Sequence, residues 1–92
     1  MNLRVIIFQE GESWSAQCVD YDIGARGNSV GEVQKRIINQ LIVEARYSAE
    51  ATGEMFGGIA AAPKYFRGEW SAGTLGFSAI IDLKDDYVAS RP

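Results

Sequence analysis

The chain has no histidine among its 92 residues. That removes the commonest general base and the commonest metal ligand together. There is one cysteine, Cys18, so no intramolecular disulfide can form. Secreted domains of this size often depend on such staples, and the composition points instead to an intracellular, cytoplasmic setting. No stretch approaches the length of apolar sequence that spans a membrane, and the opening run Leu3 to Phe8 is too short for a signal sequence. Cations are scarce: nine Lys and Arg stand against twelve Asp and Glu, for a net charge of −3 and a pI near 4.8. A protein that grips nucleic acid as its main task usually carries a basic face, so direct DNA binding is argued against. A basic protein partner stays open.

What the chain does contain is one strongly patterned stretch, Asn28 to Glu50. Ser29-Val-Gly-Glu32 reads as a capping box, with the Ser29 hydroxyl accepting from the Glu32 amide and the Glu32 carboxylate reaching back to the Ser29 amide. Val30, Val33, Ile37, Leu41 and Ala45 follow at steps of three and four, with Ile38 and Ile42 widening the stripe. That spacing lines one face of a helix, which Thr52-Gly53 ends.

Leu3 to Gln9 is rich in β-branched residues and reads as a strand apolar on both faces. Gly11, between Glu10 and Glu12, supplies a tight turn. Ser13 to Asp20 then alternates, with Trp14, Ala16 and Cys18 inward and Ser13, Ser15 and Gln17 outward, completing a β-hairpin. A short glycine-rich strand is expected over Ile23 to Arg26. Residues 54–73 carry Met55, Phe56, Ile59, Tyr65, Phe66 and Trp70 on a loop or short helix, with Pro63 at its first position. Leu75 to Leu83 reads as a further strand and Lys84 to Pro92 as a polar, fraying tail. The order β-β-β-α-β predicts a single α+β domain over 1–92. Its small, mostly antiparallel sheet, with one long helix packed on one face, has a core in 3–50.

Few residues here suit catalysis. Glu10, Glu12, Asp20 and Asp22 surround the hairpin, while Asp82, Asp85 and Asp86 follow the last strand, all at turns and strand ends where solvated carboxylates are expected. Cys18 alternates inward with Trp14, which suits core and not a nucleophile. Gly57-Gly58 and Gly24/Gly27 lack the lysine and helix context of a phosphate loop. No catalytic residue, cofactor or metal site is assigned. The partner-binding surface is expected at Glu10, Glu12, Trp14, Asp20, Tyr21 and Asp22, carboxylates beside aromatic anchors.

The run Trp14-Ser-Ala-Gln-Cys18-Val-Asp-Tyr21-Asp22-Ile-Gly-Ala-Arg-Gly27, followed by a capped helix, resembles the HicB-like antitoxin family. Phe56-Gly-Gly-Ile59, Ala62-Pro63-Lys-Tyr-Phe66-Arg67 and Trp70 are similar to the later part of its short, solitary members. The resemblance implies a βββα core of partial ribonuclease-H-like form without catalytic residues. It implies a non-enzymatic inhibitor that occludes a small, basic, RNA-cleaving toxin, as a homodimer or larger assembly. Full-length members append a ribbon-helix-helix or helix-turn-helix, for which residues 71–92 are too short and too acidic. Two other readings stand beside it: a phage- or mobile-element-type inhibitor that binds a bacterial defence complex, and a homo-oligomeric domain without a toxin partner.

Overall fold

The computed structural model describes residues 1–84; the tail expected over 84–92, including Asp85 and Asp86, lies outside them beyond Lys84. The elements run β1 (Asn2–Glu10), β2 (Ser13–Cys18), β3 (Gly24–Gly27), α1 (Val30–Thr52), α2 (Lys64–Ala72) and β4 (Phe77–Asp82). The four strands form one antiparallel sheet in the order β3-β2-β1-β4, with α1 packed on it. This is the α+β architecture that the alternating periods predict.

The hairpin forms because Gly11, at φ +59°, takes the left-handed backbone that other residues resist. Register then puts Val5 opposite Cys18 and Ile7 opposite Ala16. Directly opposed residues share a face, so Leu3, Val5, Ile7, Ala16 and Cys18 line one side of the sheet. Against them α1 buries Val33, Ile37, Leu41 and Ala45 of the predicted stripe, with Val30 and Ile42 partly buried beside them. Ser29 caps the helix by accepting from the Glu32 amide at 3.1 Å. The Glu32 carboxylate reaches one residue further back than the sequence suggests, to the Asn28 amide at 3.0 Å. The helix begins hard against the end of β3. A Cβ at Gly27 would lie 3.1 Å from both the Glu32 carboxylate and the Val33 amide, so only a residue without one fits easily.

Gly53, in the left-handed conformation, ends α1, with its amide bonded to Ala49. The following loop is tied down by a buried hydroxyl. Ser48 Oγ accepts from the Phe56 amide at 2.5 Å and donates to the Glu44 carbonyl at 2.6 Å. This holds Phe56 at φ +63°, a backbone angle uncommon for a bulky residue, and stacks its ring on Tyr21 at 4.4 Å. Loop residues 60 and 62 bond backbone to backbone with Asp22 and Val19. The chain then crosses to the other side of the sheet.

There the short helical turn anticipated after Pro63 is a nine-residue helix, with Pro63 as its N-cap. It lies over the second face of β1: Phe66 meets Phe8 at 6.1 Å, and the Arg4 guanidinium sits 5.8 Å from the Trp70 ring. That cover explains why Ile6, on the face away from α1, is only 2% exposed. The sheet therefore carries a helix on each side, where the sequence pattern placed only α1 against it. β3 begins a residue later than expected, and β4 is shorter at both ends than the run from 75 to 83.

Candidate functional site

The six candidate residues divide among separate places. Glu10 and Glu12 flank the β1–β2 turn and are exposed. Asp20 and Asp22 follow the other end of β2, roughly 17 Å away at about 3.3 Å per residue. Antiparallel register separates them: Glu10 opposes Ser13, while Val5 opposes Cys18. The acids do not form one patch.

Asp20 is engaged within the fold. Its Oδ2 accepts from the Arg4 amide at 2.8 Å, and its Oδ1 accepts from Arg4 Nε at 3.1 Å and Nη2 at 2.8 Å. Burial opposes ionisation of this carboxyl, but the hydrogen bonds and positive charge of Arg4 outweigh it and hold the carboxyl below its usual range. The same bonds raise Arg4, against a smaller cost of burial. With Trp70 over the guanidinium, this group joins β1, the β2–β3 connection and α2. Tyr21 is stacked on Phe56. Asp22 accepts from Gln17 Nε2 at 3.1 Å. Trp14 is half-buried on the α1 face, its ring stacked on Phe77 at 6.0 Å. Cys18 is fully buried, and burial pushes its thiol up, away from the reactive thiolate.

A concavity lies elsewhere, on the second face of the sheet beside α2. It is an open groove of about 720 Å³. Phe8, Tyr65, Phe66 and Leu75 make its apolar wall. The row Phe8, Ser15, Arg26 crosses β1, β2 and β3 in register beneath it. Glu10 stands beside that row and accepts from the buried Ser15 hydroxyl at 2.6 Å. Tyr65 is 57% exposed, an aromatic presented to solvent on α2. Only Glu10 of the six expected residues lines this groove.

The sequence missed the groove for a definite reason. Ser15 and Gln17 read as the wet side of a half-buried strand, and nothing local says that a second helix will wall that side. The available signals were the apolar second face of Leu3 to Gln9 and the aromatic residues Tyr65 and Phe66 after Pro63. Among the described residues, no group of three His, Cys, Asp or Glu side chains is placed to hold a metal ion. No helix there is long and apolar enough to cross a membrane. Comparison of the chain with protein-family models, with curated proteins and with solved structures finds no match.

Proposed function

We propose that this chain is a non-enzymatic protein-binding inhibitor of the antitoxin type, acting inside the cell by occluding a small, basic, RNA-cleaving toxin. The observation that carries the reading is the groove between α2 and the second sheet face, with exposed Tyr65 on its wall, Glu10 at its side and Glu12 on the adjoining turn. An aromatic anchor beside carboxylates suits a partner that presents lysines or arginines, the groups it would otherwise use on RNA phosphates. The HicB-like pattern from Trp14 to Gly27 agrees with this. So does the state of the titrating groups, since Asp20 is committed to Arg4 and Cys18 is buried. The chain also self-associates in this reading, as its small core would favour.

Asp20 and Tyr21, expected from the sequence at the contact, also make contacts within the fold, and Trp14 lies on the α1 side of the sheet. A charge reversal at Asp20 would set two cations against each other and report on folding. Glu12→Lys combined with Tyr65→Ala is the cleaner test, because both side chains are exposed. Co-expression of the unaltered chain with a small basic ribonuclease encoded beside it should restore growth, and the double variant should lose affinity for the purified toxin tenfold or more. Absence of rescue by the unaltered chain overturns the antitoxin reading. Unchanged affinity in the folded double variant moves the contact away from this groove.

A further inference from the structure

β4 closes one side of the sheet, and its outer backbone groups have no partner among the described residues. The ladder tells which groups those are. Met1 and Leu83 exchange both N–H···O bonds, at 2.8 and 3.1 Å. Bonded and non-bonded pairs alternate along an antiparallel ladder. Leu3↔Ile81, Val5↔Ala79 and Ile7↔Phe77 are therefore the bonded pairs. The N–H and C=O of Ser78, Ile80 and Asp82 point away from β1.

Proteins usually blunt such an edge with proline, lysine, a bulge or a very short strand. β4 contains neither proline nor lysine, and its register with β1 runs unbroken from Asp82 to Phe77. Phe77 and Ile80 on it are 57% and 56% exposed. The opposite edge contrasts: β3 has four residues, two of them glycine, and its Arg26 carbonyl is taken by Arg36 Nη1 at 2.8 Å.

We infer that β4 pairs antiparallel with β4 of a second copy of this chain, about a twofold axis at Ile80, joining two four-stranded sheets into one. This deepens the self-association reading by naming its edge and register, and it does not depend on the toxin. The strand is self-complementary in that register. Ile80 meets Ile80 of the second copy, Ser78 meets Asp82, and Ala79 meets Ile81. All of the outward-pointing groups of Ser78, Ile80 and Asp82 then find partners within the two strands. An axis at Asp82 would oppose two carboxylates, which like-charge repulsion disfavours. An axis at Ala79 would send Asp82 opposite Gly76, beyond the end of the strand.

Sedimentation of the unaltered chain from micromolar to millimolar concentration should show a monomer–dimer equilibrium. Ile80→Glu should raise the dissociation constant at least tenfold, because it opposes two carboxylates across the axis. The monomer should stay folded, since Arg4 lies opposite residue 80 on the same face. Circular dichroism checks this. Ile80→Cys should form a disulfide-linked dimer on mild oxidation, a bonded pair lying about 5.5 Å apart between Cα atoms, within disulfide reach. Ser78→Cys should not, since its own counterpart lies four residues along, roughly 13 Å away. Buried Cys18 should not compete. A dimer that survives Ile80→Glu, or that cross-links through position 78 and not 80, overturns this edge and register while leaving self-association standing. A monomer at every concentration overturns both.

Discussion

The two faces of the sheet are made by the same strands and finished in opposite ways. On one side α1 presses Val33, Ile37, Leu41 and Ala45 onto Leu3, Val5, Ile7, Ala16 and Cys18, every one of them buried. On the other, α2 covers β1 without burying a single residue of its own, and over β2 and β3 it leaves Ser15, Gln17 and Arg26 along an open groove. The first face does what a small domain needs for stability, removing contiguous apolar area from water. The second is held by rings, an ion pair and a few hydrogen bonds, and it leaves polar groups along the groove. The packed core and the open groove thus occupy opposite sides of one four-stranded sheet.

Substitutions of graded severity can break or sharpen that contrast. The largest effect is expected at Leu41, fully buried at the centre of the α1 face. Leu41→Ala should cost about 2–5 kcal/mol in urea unfolding, from lost transfer energy plus the cavity. A loss no larger than that of a groove substitution would dissolve the distinction between the faces. Ser48→Ala comes next, at about 1–3 kcal/mol, because it strips the buried Phe56 amide of its acceptor. The loss should be accompanied by faster hydrogen exchange in residues 54–62.

Asp20→Asn probes the polar fastening between the faces. Asp20 and Arg4 are both part-exposed, so solvent discounts the pair to about 1 kcal/mol at neutral pH. The folded-state carboxyl is depressed, so its contribution is present above the unfolded pKa and disappears as pH falls through the lower folded value. Stability curves of the parent and Asp20→Asn should stay apart at neutral pH and converge below about pH 4. A gap that persisted in acid would mean that packing, and not ionisation, accounts for it. Smallest of all in stability is Tyr65→Ala, within about 0.5 kcal/mol, as for exposed residues generally. Its effect should appear instead in partner affinity, and a large drop in melting temperature would show that the groove wall belongs to the core.

Ser15 illustrates how far sequence reading reaches. Its alternation with Ala16 assigned it correctly to the side away from α1, yet it is 5% exposed. Its hydroxyl is bonded to Glu10, and it shares the groove with Tyr65 and Phe66, some fifty positions later, which no window around Ser15 contains. The acids were legible as residue types but not as a group, because a hairpin sends the two ends of β2 in opposite directions.

The sequence by itself determined α1, with its cap, its buried stripe and its glycine stop, and the hairpin turning at Gly11. Both rest on hydrogen bonds and side-chain periods that close within a few residues, so the information is local. Tertiary structure decided the rest: that α2 takes the second face, that Arg4 claims Asp20, and that β4 joins β1 and not the edge of β3. Each of these is a choice between alternatives of similar local propensity, settled by contacts between distant parts of the chain. Met1 bonding to Leu83 is the farthest of them, and it puts the open strand at the edge of the sheet.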